Sequence, residues 1–594
     1  MASTYTTNTG IEKPGTGEQS GTWGNTTNTN FDLIDQSTNG IVEITVSSAA
    51  TSGSPNSLPI TNGALSNGRN FYIEFKDGGD LGATVYYQLD PNDAEKVVHV
   101  RNALTTRSLI LFQGTYNSSN DIEIPNGMDM VVKFDGGGSG ATVEQVDKSL
   151  NPASVTVTGA IAVTGDYSST TSGTSNLRLG VNAGDAIASG GNYNVVIGDE
   201  AGTAITTGDY NTALGFEALA ATTDRNSNTG IGAQTLKTNV NGAKNTALGS
   251  GALFTMNPST DVDTYNTAVG FDAGNDITTG TLNTLVGGLA GDSLTDAEAN
   301  VAIGYNALST EDQADANVAI GVSALATQNA GTGESYNTGV GHNAGRYVTT
   351  GVQNTLIGGL AGDALTDADY NVAVGHLSLT TDTKGSKSTA IGLSALHSQN
   401  FTTATDSHNT AVGHNAGYNV TTGVRNTLVG SGAGDSITTG NQNAVMGEGA
   451  GAALTDADYN VVVGRAALAA DTLGSRSTAI GTYALGTQNF TTATDNYNTA
   501  VGYAAGNVIT TGTENTLIGA EAGDALTDAD KNVAVGKSAL TADTLGSRTV
   551  AVGQGALAAQ NFTTATDTYN TAVGHFAGLS VTTGQFNTLV GGLA

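Results

Sequence analysis

The side chains whose type and spacing invite a chemical reading are seven histidines and a recurring acidic turn. His342, His376, His414 and His575 each fall one residue after a repeating Gly, where Tyr, Phe, Gly and Ser also occur. His408 stands where Tyr is usual. In a three-fold assembly a His near the axis could hold a metal, but such freely exchanged positions read better as variable surface or groove. The turn LTDADYN occurs at 365–371 and 454–460, with variants at 294–300 and 526–532, and Asp363 and Asp524 precede two of these. Paired carboxylates can bind Ca²⁺, yet the calcium-binding nonapeptide repeat is absent. The favoured reading is a turn in which Asp bonds its own backbone. Acid pairs also serve glycoside hydrolysis, but copying them along a chain suits a scaffold better than one active site. Thr-rich loops raise sugar or ice binding, whereas Thr alternating with Val at one position indicates a buried β-branched slot. No catalytic, cofactor-binding or metal-ligating residue is assigned, and the chain is read as non-enzymatic.

Composition narrows the classes further. The 594 residues include 82 Gly, 7 Pro and no Cys. Without Cys there are no disulfides, thiolate nucleophiles or cysteine zinc sites. Gly has no three-residue period and Pro is scarce, which excludes collagen. Net charge is −32, split −10 over residues 1–176 and −22 over 177–594. Both parts would repel phosphates, so nucleic acid is not an expected partner. No run of 18 apolar residues exists, so no membrane insertion is expected. The opening MASTYTTNTGIEKPG lacks the basic and apolar regions of a secretory signal.

The elements that position everything else come from a repeat. A motif of the form Asn-Thr-Ala-Val-Gly-x-x-Ala recurs 24 times, its Gly running from Gly180 to Gly591. Successive marker glycines stand mostly 17 apart, with one step of 18, one of 20 and four of 21. A unit this short cannot bury a face alone and must stack on its neighbours as a solenoid. The residue before each Gly is aliphatic, the one two before it mostly Ala or Leu, and the one three before it Thr or Val, so the segment reads as a short strand. Successive residues point to opposite faces. Both faces are then apolar, which predicts rows dry on two sides and a second packed surface from another copy of the chain.

Asn stands four before the Gly except at Ser388, Ser477 and Thr549, which predicts a side-chain ladder along the stack. Ala stands three after it except at Thr235 and Ser378, implying a crowded corner. The next position alternates in blocks, Gly274 and Gly291, then Leu308 and Leu325, then Gly345 and Gly362, then Leu379 and Leu396. With the longer spacings this makes a super-repeat of roughly 72 residues, or four coils, each with one inserted loop. NFTTATD fills three of these loops, at 400–406, 489–495 and 561–567. At ~4.8 Å per strand the 24 coils would extend roughly 115 Å, with loops about every 19 Å.

Before the repeat, residues 41–148 carry strand candidates at 41–47, 71–75, 83–89, 95–100, 108–114, 129–134 and 141–146, separated by KDGGD, DPND, PNGM and DGGGSG. This pattern predicts a small β-sandwich or jelly roll. Residues 149–176 read as a neck. Residues 1–40 have too few apolar groups for a core and read as an extended docking segment anchored by Trp23, Phe31, Leu33 and Ile34.

GIEKPGTGEQSGTWGNTTNTNFDLID, together with SLILFQGTYNSSNDIEIPNGMDMVVKFDGGG, resembles the opening of tail-fibre proteins from marine and cyanobacterial phages. The repeats NTAVGYAAG and STAIGLSAL are similar to the left-handed β-roll of trimeric autotransporter heads, with longer coils here. The resemblances imply an all-β homotrimer: a tail-attachment segment (1–40), a β-sandwich (41–148), a neck (149–176) and a 24-coil left-handed β-roll shaft (177–594). They imply a virion tail fibre that docks on tail or adaptor proteins through residues 1–40. It would project host-recognition parts towards a cell-surface glycan or protein. A trimeric bacterial surface adhesin with ligand-binding repeats is the alternative.

Overall fold

The computed structural model describes residues 4–5, 11–13, 21–79, 81–146 and 172–594. The chain divides into two units, Met1–Ala162 and Val163–Ala594. The expected neck lies outside the described residues as far as 171.

In the first unit the expected extended segment contains a helix, α1, at Trp23–Asn39. Asn and Thr are weak helix formers, which is why the sequence did not announce it. Tertiary contacts outweigh propensity here. Leu33 is buried, and Gln36 Oε1 accepts a hydrogen bond from the Ser66 amide at 3.1 Å. Thr27 and Ser37 turn their hydroxyls onto the carbonyls of Trp23 and Leu33, removing the polar groups that would compete with the helix. Of the four expected anchors only Leu33 is internal, while Trp23, Phe31 and Ile34 are exposed.

Two sheets follow. Their strands are β1 (Ile41–Val46), β2 (Asn56–Pro59), β3 (Tyr72–Asp77), β4 (Val85–Asp90), β5 (Glu95–Ala103), β6 (Leu109–Gln113), β7 (Ile122–Ile124), β8 (Asp129–Asp135) and β9 (Val143–Gln145). One sheet has the order β9-β8-β5-β3-β1 and the other β2-β4-β6-β7. Their inner faces share one core, including Ile73, Phe75, Val98, Leu109, Leu111 and Phe134. The expected two-layer packing is present, but the pairing is not that of an antiparallel sandwich. β1, β3 and β5 run parallel, as do β2, β4 and β6. From β1 to β6 the chain crosses from one sheet to the other at each step, and KDGGD, DPND and PNGM connect layers, whereas β6–β7 and β8–β9 are antiparallel pairs within a sheet, the second closed by DGGGSG. Sequence reasoning missed β2 and β7. β2, NSLP, lacks β-branched residues and keeps its Pro because it is an edge strand.

The second unit is a β-solenoid of 24 turns. One three-residue strand per coil forms a single 24-stranded parallel sheet, from Leu177–Leu179 to Thr588–Val590. Register is kept from coil to coil; Thr355-Leu356-Ile357, for instance, pairs with Val372-Ala373-Val374. The marker Gly explains itself. At Gly358 φ is +135°, and a Cβ there would lie 2.5 Å from the carbonyl oxygen of Gly375 in the next coil. Backbone approaches backbone, so only Gly fits.

Within a single chain the strands are dry on one side only, so the second dry side expected from the sequence needs another copy to cover it. The Ala/Leu row is fully buried, as at Ala302, Leu356 and Ala411. The aliphatic row before the Gly is not, its exposure reaching 37% at Ile303 and 50% at Met446. A correction concerns the super-repeat. Five two-residue strand pairs mark the inserted loops, at 262–263, 333–334, 405–406, 494–495 and 566–567. They are separated by four, four, five and four coils, because the coil marked by Gly447 is additional.

Candidate functional site

The solenoid interior is held by a side-chain ladder whose bonding is more specific than amide-on-amide stacking. Asn354 is buried; its Nδ2 donates to Ala368 O at 2.8 Å and its Oδ1 accepts from the Asn371 backbone N–H at 3.0 Å. The pattern repeats along the stack, for example at Asn194, Asn300 and Asn515. Direct amide-to-amide bonds join some rungs, such as Asn354 to Asn337 at 3.2 Å. A second ladder, of Thr hydroxyls on the carbonyl of the next coil, runs through Thr349, Thr366, Thr438 and Thr455.

The Gly/Leu alternation is half of a reciprocal rule. The position four after the marker Gly has positive φ, near +55° for Gly362 and +51° for Leu379. Where it is Gly, the residue three further on is aliphatic, as Leu365 is, and a Cβ on Gly362 would strike Leu365 Cδ1 at 2.8 Å. Where it is Leu, that later residue is polar and still buried, Met256 excepted: Glu311, Gln328, Asp382, Gln399, Asp471, Gln488, Asp543 and Gln560 are examples. At this place in the coil one large aliphatic group comes from either of two alternative origins, and only the coil of Leu253 and Met256 has both. The compensation is visible in the sequence once the two columns are read together.

These buried polar residues clip the inserted loops. Asp382 Oδ1 accepts from the backbone N–H of Gly385 and of Phe401, both at 3.0 Å, and Oδ2 accepts from Gln399 Nε2 at 2.5 Å. Gln399 also donates to Ser388 Oγ at 2.8 Å, and its Oε1 accepts from Asn409 Nδ2 at 2.9 Å. The same set recurs around Asp471 with Gln488, and Asp543 with Gln560. Ser388, Ser477 and Thr549, which interrupt the Asn column, each accept from the Gln of the loop coil, whereas Asn317 keeps its place and Gln328 donates to Ser335 instead. Burial raises the carboxyls of Asp382 and Asp471 against the donors that favour their charged forms.

The expected site residues are placed as follows. In the acidic turn Leu365 and Ala368 are core. Asp369 Oδ1 accepts from the Val352 N–H of the preceding coil at 2.9 Å, and Asp458 and Asp530 do the same to Asn441 and Thr513. The second acid of these turns therefore bonds the preceding coil's backbone, while the first, at Asp456 and Asp528, accepts from the hydroxyls of Thr439 and Thr511. Asp363 and Asp524 accept from the hydroxyls of Thr380 and Thr541, and burial pushes both carboxyls up. His342, His376, His414 and His575 are exposed and separate, and among the described residues no three His, Asp or Glu gather as a metal site would require.

His408 belongs to an exposed column that precedes the Asn row, at positive φ. Neighbouring members stack: Tyr193 on Tyr210 at 5.1 Å, Tyr569 on Phe586 at 5.4 Å, and Arg476 over Tyr459 at 4.7 Å. Arg476 Nε also meets Asp495 of the loop at 3.0 Å. Ring faces and cations engage one another, so the column braces the stack. Among the described residues no helix is long and apolar enough to cross a membrane. No protein-family model, curated protein or solved structure matches the chain.

Proposed function

We propose that the chain is a structural virion fibre, a phage tail fibre, built as a homotrimer around a left-handed β-roll shaft. Its N-terminal segment, 1–40, docks on the tail, and its shaft holds host-recognition parts away from the particle for adsorption to a bacterial surface. The observation that carries this reading is the outer face of the 24-stranded sheet. Its aliphatic row is 37–50% exposed at Ile303, Ile357, Ile391, Ile518 and Met446. Phe216, Phe271, Tyr305 and Tyr503, each one residue after a marker Gly, extend it. A strip ~115 Å long and roughly 7 Å wide, from strand spacing and rise, exceeds the few hundred Å² of apolar patch that a soluble monomer normally leaves open. Copies of the same chain present the same strip at the same spacing, and closed symmetric assembly covers it. A continuous single-start stack held by buried ladders suits a spacer better than a catalyst. Exposed Trp23, Phe31 and Ile34 on α1 offer the apolar anchors that docking needs.

The test is immunogold labelling with antibodies raised against residues 177–594. The fibre reading expects gold along appendages of phage particles. Gold on the bacterial envelope, with none on particles, would replace it with the surface-adhesin reading.

A further inference from the structure

We infer that the first unit binds a small monovalent anion of the halide class at Arg69. Arg69 ends the short 3₁₀ turn Asn67–Arg69 and is 1% exposed. Its Nη2 donates to the carbonyls of Thr61 and Ala64 at 2.6 and 3.3 Å. Nε and Nη1 are buried and have no acceptor among the described residues. A guanidinium stays charged at any ordinary pH, so proton loss cannot relieve its burial.

A second cation makes the imbalance worse. Lys96 Nζ donates to the Arg69 carbonyl oxygen at 2.6 Å. Burial, and Arg69 itself, push the Lys96 ammonium down to about 8. Among the described residues no carboxylate pairs with the Arg69 guanidinium, although the chain carries 53 Asp and Glu against 21 Lys and Arg. Lys96 and Lys133 also line a cleft of about 210 Å³ with Glu95, Val97 and Phe134.

Buried charges are paired or ligated in stable proteins, and an orphaned buried donor marks an ion or water. Water would satisfy an N–H but leave two like charges uncompensated. An anion does both. It must be small, because a guanidinium 1% exposed offers no room for a phosphoryl or peptide ligand. The place matters for docking: Ser66, in the same loop, holds Gln36 of α1, so occupancy of the site steadies the seat of that helix.

Hydrogen exchange on the full chain tests this, comparing potassium chloride and potassium bromide with potassium methanesulfonate at equal ionic strength. The site predicts severalfold slower exchange in halide for peptides spanning 61–70 and 95–100, with shaft peptides unchanged. Arg69→Met and Lys96→Met should each abolish the difference. Equal exchange in all three salts, or halide protection that survives Arg69→Met, overturns the site and leaves ordered water in its place. Should either variant misfold, anomalous diffraction from wild-type crystals grown in bromide decides: a peak against the Arg69 guanidinium supports the site, and none there refutes it.

Discussion

Replacing Gly358 by Ala isolates the contact that sets the coil pitch. An added Cβ would lie 2.5 Å from Gly375 O, 2.6 Å from Gly375 C and 3.1 Å from the His376 N, all backbone atoms in the next coil. Nothing there can rotate away. The backbone must also hold φ at +135°, a conformation that costs a non-Gly residue about 1–3 kcal/mol. Forcing an extra carbon into a packed interface adds about 1–3 kcal/mol, so the sum is roughly 2–6 kcal/mol. The adjacent Gly359 is the control. Its nearest neighbour would be His376 Cδ2, at 3.4 Å from the added Cβ, and its φ is not in the positive region. In a solenoid such damage stays near the altered coil, so a global melting temperature is the wrong readout. Amide exchange resolved by coil is the right one. At about 1.4 kcal/mol per tenfold, Gly358→Ala should speed exchange across residues 341–391 by roughly 30-fold or more. Gly359→Ala should leave it near wild type. If the two variants behave alike, the close approach between coils does not set the pitch and the steric reasoning fails.

Further outcomes follow from the same contacts. Asn354→Ala strands the Ala368 carbonyl and the Asn371 N–H, at about 1–3 kcal/mol for each buried group, and should raise exchange at both within otherwise native coils. Asp382→Ala frees Gly385, Phe401 and Gln399 together, so limited proteolysis should cut at 400–406 first while the intact loop at 489–495 resists; equal cutting of both loops would refute the clip. Asp382, Asp471, Asp363, Asp435 and Asp524 all have carboxyls raised by burial. A raised folded-state carboxyl contributes stability that is complete below its ordinary value and lost as pH rises through the folded value. Thermal unfolding of the shaft should therefore shift upward as pH falls from neutral towards about 4. Asp292, raised from 3.8 to about 6 by burial and by Asp276 and Asp272, has its window between those values, and Asp292→Asn should flatten the slope there.

What the sequence disclosed and what it hid divide along physical lines. Strand position, register and the recurrence of the marker Gly were legible because a stack repeats one local problem 24 times. The ladder was legible in outline, but not its geometry, since nothing in an Asn column says that its oxygen takes a backbone N–H of the next coil. Nothing in the identity of Asp382 and Gln399 marks them as buried; only the swap with Leu379 and Leu396 betrays them. α1 was hidden because propensity opposes it and Gln36 finds its partner, the Ser66 amide, far along the chain. The parallel order of the first unit was hidden because a Gly-rich turn looks the same whether it closes a hairpin or crosses between sheets. That the outer face needs a cover was legible because its Ile and Val are apolar; what covers it was not.

Coverage of that outer face is the claim on which the rest turns, and mass photometry of the purified full-length chain reaches it most directly. The account predicts a single species at three times the 59.4 kDa of one chain. A uniform, folded species at the mass of one chain would leave the Ile and Val row in water and contradict it.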